Sequence, residues 1–179
     1  AAAAAGYEYI VIYPALMDPT DMLGLPVPTA DHSRVDRLLD DMMMRIVEAK
    51  SPTLILLDEL GQASPAMQAS CAPLLLARRI GKHHIPNHVV VCAASNRRRD
   101  RAGAGGILTH LISRMACVLT LEPSVQDWAD WATRAHLRPE VISFLRWRPK
   151  LLHQYDPEKS YADTEPYACP RSWHHASKL

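Results

Sequence analysis

Residues 53–60 read TLILLDEL, an apolar run that ends on two adjacent carboxylates, Asp58 and Glu59. A short, uninterrupted apolar run predicts a strand buried on both faces, as in the middle of a parallel sheet. Two acids at its carboxyl end need a reason, because ionised carboxylates beside a core must be solvated, paired or bound to a metal. A carboxylate fixed at a strand end can hold Mg²⁺, usually through water, and its neighbour can polarise a water for attack. The plainer reading is that the pair solvates the strand end and caps the segment after it. The residues around it decide between the two.

On the amino-terminal side, YIVIY at residues 9–13 predicts a first buried strand, followed by a loop rich in Pro, Asp and Gly. Residues 34–50, RVDRLLDDMMMRIVEAK, place Val35, Leu38, Leu39, Met42, Ile46 and Ala49 on one face of a helix that ends at Ser51-Pro52. On the carboxyl side, Ser64-Pro65 has the N-cap and first-turn chemistry of a second helix, which runs to Gly81 with an irregularity at Pro73. VVVCAAS at residues 89–95 predicts a third buried strand, residues 106–115 a helix, and CVLTLE at 117–122 a fourth strand. Strands alternating with helices indicate an α/β fold with a mainly parallel sheet. Three further helical patterns come after them, so the expected organisation is an α/β core over residues 1–122 and a small helical lobe over 123–179.

Composition narrows the classes. The 179 residues are 48% hydrophobic with a formal net charge of +1, which suits a globular chain and gives no bulk attraction to nucleic acid or anionic lipid. No apolar run reaches the roughly 20 residues of a membrane-spanning helix. The opening AAAAAG lacks the basic start and apolar core of a signal peptide. Four cysteines lie far apart with no C-x-x-C pair, which predicts reduced, mostly buried thiols in a cytoplasmic protein. Nine histidines show no metal-ligand spacing, so no structural metal is expected.

Ligands of parallel sheets sit beyond the carboxyl ends of the strands. Here each of the first three strands delivers polar residues at that end: Asp18 and Asp21, then Asp58 and Glu59, then Ser95 and Asn96. Asn96 has the chemistry to orient a water or sense a phosphate, though asparagine is also an ordinary turn residue. Arg114, in LISRM, stands between a helix and the next strand, and Arg171, in PRSW, opens the last helix. A guanidinium at either place is suited to phosphate, and equally to an ordinary surface.

Taken in order, LILLDE as a Walker B element, AASN, LISRM and PRSW resemble the AAA+ ATPases, and their flavour is that of the MoxR-like branch, including phage- and prophage-type members. Supporting stretches are DPTDMLGLPVP, LDELGQASPAMQASCAPLLLARRIG, AASNRRRDRAG, PEVISFLRWRPKLLHQYDP and CPRSWHHAS, which together extend the likeness over nearly the whole chain. The resemblance implies a parallel-sheet AAA+ core followed by a helical lid. It implies ATP and Mg²⁺ as cofactors, Asp58 as the Mg²⁺-associated acid, Glu59 as general base and Asn96 as first sensor. Arg114 would be the arginine finger acting in trans, and Arg171 the second sensor on the lid. It also implies a ring of identical subunits, with a hexamer as the expected size, that remodels or matures an unidentified protein client. RIGKHHIPNH at residues 79–88 resembles the hairpin inserted beside the second helix in this branch, and no catalytic role is assigned to it.

One element is missing. No G-x-x-x-x-G-K-[ST] occurs in the sequence, so the residues that would cradle the phosphates are not among these 179. In the family that loop precedes the helix leading into YIVIY. The expectation is that the chain starts just downstream of its P-loop and stops inside the last helix, or that the alanines are placeholders. As written, the polypeptide is not expected to hydrolyse ATP well. Two other readings stand beside the motor. Arg97, Arg98, Arg99 and Arg101, with Arg78, Arg79 and Lys82, form a basic cluster suited to a nucleic-acid backbone, disfavoured by the absence of interleaved aromatics. A catalytically dead assembly module is the third, with Trp128, Trp131, Trp147 and Trp173 as either lobe core or a partner surface.

Overall fold

The computed structural model describes residues 2–97, 105–156 and 167–179. Its secondary structure, in chain order, is β1 (Glu8–Ile12), α1 (Pro19–Leu23), β2 (Leu25–Pro28), β3 (Val35–Leu38), α2 (Asp41–Val47) and β4 (Thr53–Leu57). These are followed by α3 (Pro65–Ala77), β5 (Arg79–Ile80), β6 (His83–His84), β7 (Val89–Ala93), α4 (Thr109–Ile112), α5 (Val125–Arg134), α6 (Pro139–Trp147) and α7 (Pro170–Ala176). The chain divides into two compact units, Ala1–Val118 and Leu119–Leu179.

In the first unit β4 is the central strand of a three-stranded parallel sheet, ordered β1-β4-β7. Thr53, Ile55 and Leu57 on one of its faces are fully buried, and Leu54 and Leu56 on the other are half-buried. The flanking strands are less enclosed than their sequences predict. Ile10 and Ile12 of β1 point into the core while Tyr9 is 48% exposed, so this edge strand reads with period two. The main core joins the sheet's inner face to α2 and α3 through Met43, Ile46, Met67, Cys71 and Leu74.

Four expectations are corrected. The helix expected over residues 34–50 begins only at Asp41, because residues 35–38 pair antiparallel with residues 25–28 in the register Leu25↔Leu38 and Pro28↔Val35. Val35 and Leu38, expected in the core, are therefore exposed. Asp40 caps α2, its Oδ1 accepting the Met43 N–H at 2.7 Å, and Asp41 stands in the first turn. Gly24 turns the chain into this hairpin at φ 82°, where a Cβ would lie 2.9 Å from the Leu38 carbonyl oxygen.

α3 has its serine cap, Ser64 Oγ accepting the Met67 N–H at 3.2 Å, but it stops at Ala77 rather than Gly81. Arg78 closes it in the left-handed region, and residues 79–84 form the small antiparallel hairpin β5–β6 instead. The helix expected over 106–115 is reduced to the single turn α4. CVLTLE forms no strand, and Leu121 is 90% exposed. An extended apolar run becomes a strand only where an edge pairs with it, and no described strand does so here.

The second unit has its own core of Trp128, Ala129, Ala132, Ile142, Leu145 and Leu152. Two indoles tie it together, Trp128 Nε1–H donating to the Pro170 carbonyl at 3.2 Å and Trp173 Nε1–H to that of Leu151 at 2.8 Å. Trp147 is 69% exposed, with the Arg148 guanidinium 4.3 Å from its ring centroid. The four tryptophans are thus divided between core and surface. Among the described residues, no helix is long and apolar enough to cross a membrane.

Candidate functional site

The site is built where β4 and β7 end side by side. Their ladder extends past the strands: Ala94 N–H donates to the Leu57 carbonyl at 2.9 Å, and Leu60 N–H to that of Ala94 at 3.0 Å. On the other side Asp58 N–H continues the pairing with β1, donating to the Ile12 carbonyl at 2.8 Å. Asp58 is therefore held at the carboxyl end of the central strand by the backbone itself. Its Oδ1 accepts the Glu59 N–H at 3.1 Å, and Oδ2 takes no hydrogen bond from a described residue.

Glu59 leaves the strand in a left-handed conformation, φ 54° and ψ 34°. A non-glycine residue there carries on the order of 1 kcal/mol of strain, which the surrounding structure must hold in place. The consequence is that its side chain turns toward the loop after β7. Glu59 Oε2 accepts the Asn96 Nδ2 amide at 3.3 Å and the Gln62 Nε2 amide at 2.9 Å.

Gly61 and Gln68, which no sequence motif marks, hold these loops together. Gly61 N–H donates to Ser95 Oγ at 3.2 Å, and Ser95 Oγ–H donates to the Asn96 carbonyl at 3.0 Å. A Cβ on Gly61 would stand 2.2 Å from Ser95 Oγ and 3.3 Å from Gly106, so only glycine lets the loops approach this closely. Gln68 is buried on α3, and its side-chain amide makes three hydrogen bonds, two of them to the segment at residues 106–108. Its Nε2 donates to the carbonyls of Ala63 and Gly106, each at 3.1 Å, and its Oε1 accepts the Leu108 N–H at 2.9 Å. A glutamine on the inward side of a capped helix is the only sequence signal that could have marked it.

The other expected site residues lie differently. Asp18 and Asp21 form the capping pair of α1, with Asp21 Oδ2 accepting the Asp18 N–H at 2.8 Å. Arg114 follows α4 on the surface, and its Nη1 donates to the His110 carbonyl at 2.9 Å; no bond joins it to Asp58, Glu59 or Asn96. Arg171 is exposed in the first turn of α7, in the second unit.

Among the basic residues, Arg97 is exposed, whereas Arg98, Arg99 and Arg101 lie outside the described residues. Arg78 is used internally, its Nη2 donating to the carbonyls of Pro86 at 2.7 Å and Val89 at 2.8 Å. Lys82 pairs with Asp36 of the neighbouring hairpin, and this holds the Asp36 carboxyl below its ordinary range.

The expectation of mostly buried thiols is also corrected. Cys71 is buried, and burial raises its pKa to about 11; Cys92 and Cys117 are exposed and Cys169 is half-buried. All four are free.

The acid pair and the amide thus meet at the carboxyl ends of adjacent parallel strands, the side of such a sheet on which ligands sit. No family model and no curated protein matches the chain. Among solved structures, NtrX from Brucella abortus in complex with ADP superposes with a TM-score of 0.50 at 12% identity, over 97% of this chain and 38% of that one. A second structure of NtrX from the same organism gives 0.48 at 10% identity, covering 97% and 40%. A candidate ATPase from Cytophaga hutchinsonii gives 0.43 at 11% identity, covering 96% and 44%. The chain spans less than half the length of each. At such identity the likeness is one of fold alone, an α/β arrangement whose first unit holds a parallel sheet.

Proposed function

We propose that this chain carries the metal-and-base half of a MoxR-like AAA+ ATPase site, working in a ring of identical subunits that couples Mg-ATP hydrolysis to remodelling of a protein client. The observation that carries the reading is the Glu59–Asn96 contact at the joined ends of β4 and β7. Solvating acids have no need of an amide from the next strand. A base and a water-orienting group must share one small volume.

The residues present fit Mg²⁺. Asp58 is half-buried and fixed by backbone bonds on both sides, and its Oδ2 takes no hydrogen bond from a described residue. No cluster of three or more His, Cys, Asp or Glu occurs among the described residues. Mg²⁺ is commonly held by one or two carboxylates together with phosphate and water, a demand that one fixed carboxylate can meet. Asp58 would hold the ion through water, Glu59 would take a proton from the attacking water, and Asn96 would orient that water. The ion's contribution is to neutralise charge on the phosphates. No G-x-x-x-x-G-K-[ST] phosphate cradle occurs among these 179 residues. Arg114 as a finger reaching a neighbouring subunit, Arg171 as a lid sensor and a cytoplasmic location belong to the same proposal.

The experiment is Mg-ATP turnover by the intact protein, with Glu59→Gln beside it. The variant is expected to bind nucleotide and to lose hydrolysis by about a hundredfold or more. Turnover unchanged in Glu59→Gln means Glu59 is not the base, and an intact protein that neither binds nor hydrolyses ATP sinks the reading altogether.

A further inference from the structure

Glu59 has two amide partners, and only one of them belongs to the site as the sequence marks it. Gln62 is the other, and its bond of 2.9 Å is the shorter. The turn that brings it there is fixed by the backbone. Glu59 precedes a one-turn 3₁₀ helix, Leu60–Gln62, and Gln62 N–H donates to the Glu59 carbonyl at 2.9 Å. From the end of this turn the Gln62 side chain reaches back, so that its Nε2 donates to the Glu59 carboxylate.

Both donors arrive at the same atom, Oε2. A carboxylate oxygen has about two acceptor positions, and two donors occupy them. Oε1 takes no hydrogen bond from a described residue. The terminal torsion of a free glutamate is broad and nearly two-fold, so either oxygen of an unrestrained Glu59 would face the site. Donors from two separate segments, the turn at 60–62 and the loop after β7, remove that freedom.

We propose that Gln62 is a positioning residue for Glu59: together with Asn96 it locks Oε2 and presents Oε1 as the proton acceptor. This rests on the reading of Glu59 as the general base. The competing description is a surface pair that merely stabilises its own turn, and Gln62 is indeed exposed. The two differ in what they predict for catalysis, because a loosened base loses its orientation without any loss of fold.

The test uses the intact protein with Gln62→Leu, which keeps size and removes the donor, and Gln62→Arg, which keeps a long donor. Gln62→Leu is expected to lower kcat about tenfold while KM for ATP and Tm stay unmoved. Gln62→Arg is expected to recover most of the lost rate. Wild-type kcat in Gln62→Leu, where Glu59→Gln has abolished turnover, overturns the role of Gln62 and leaves the base intact. Turnover retained in Glu59→Gln removes the base, and the positioning role goes with it. A readout independent of activity is the side-chain amide resonance of Gln62. It should shift in Glu59→Ala, and a resonance that does not move rules out the contact.

Discussion

Substituting alanine at Gly61 presses on the closest approach in the site. The added Cβ would sit 2.2 Å from Ser95 Oγ, far inside contact distance, and 3.3 Å from the Gly106 backbone. Ser95 can rotate away, but its Oγ then no longer accepts the Gly61 N–H. Losing that bond in a half-buried place costs about 1 kcal/mol. The Gly106 side cannot yield easily, because Gln68 holds the Gly106 carbonyl from below at 3.1 Å. Overpacking against such a backstop adds about 1–2 kcal/mol. The sum, about 2–3 kcal/mol, corresponds to a fall in Tm on the order of 10 °C for a domain of this size. Urea denaturation followed by circular dichroism reads it directly. Gly105→Ala is the control, since a Cβ there meets nothing within 4 Å. Ser95→Gly should relieve part of the loss when combined with Gly61→Ala, by removing the atom in the way. A Gly61→Ala variant within about 0.5 kcal/mol of wild type, the range of ordinary surface changes, would refute the close approach of the two loops.

Other expectations rest on single side chains. Gln68→Ala leaves the Ala63 and Gly106 carbonyls and the Leu108 N–H without partners. It should cost about 2–4 kcal/mol in denaturant unfolding and loosen residues 106–108 in hydrogen exchange. Cys71, buried and with its thiol pKa raised to about 11, should resist a thiol reagent in the native protein at neutral pH. Cys92 and Cys117 should react at once, and Cys71 only on unfolding; early labelling of Cys71 contradicts its burial. The Asp36 carboxyl is held low by Lys82 first and by the Arg37 N–H second. Its contribution is thus complete above the ordinary carboxylate range and lost as pH falls through the lowered value. Asp36→Asn should flatten stability against pH only in that acid window.

The features legible in the residues and those hidden from them are separated by a physical divide. The central strand was legible because TLILL is buried by its neighbours on both sides, and an apolar run of that length has few other uses. The Glu59–Asn96 contact was legible only as a juxtaposition of strand ends, since the register of β4 against β7 does the placing. The hairpin of β2 and β3 was not legible. Val35 and Leu38 have helical spacing, and antiparallel pairing with residues 25–28 overrides it. The double acid Asp40-Asp41 was the available sign of where α2 begins. Gly61 and Gln68 were hidden for a different reason: each matters through a residue more than 30 positions away, and no local pattern reports such a partner.

The central claim is that Glu59 and Asn96 act on one water. A double-mutant cycle on Mg-ATP hydrolysis by the intact protein measures this, with Glu59→Gln, Asn96→Ala and the pair assayed together. The account predicts that each single change removes most of the turnover and that the double variant is no slower than Glu59→Gln, because groups serving one step are not additive. Rate losses that multiply independently, or an Asn96→Ala variant with wild-type kcat, would contradict it.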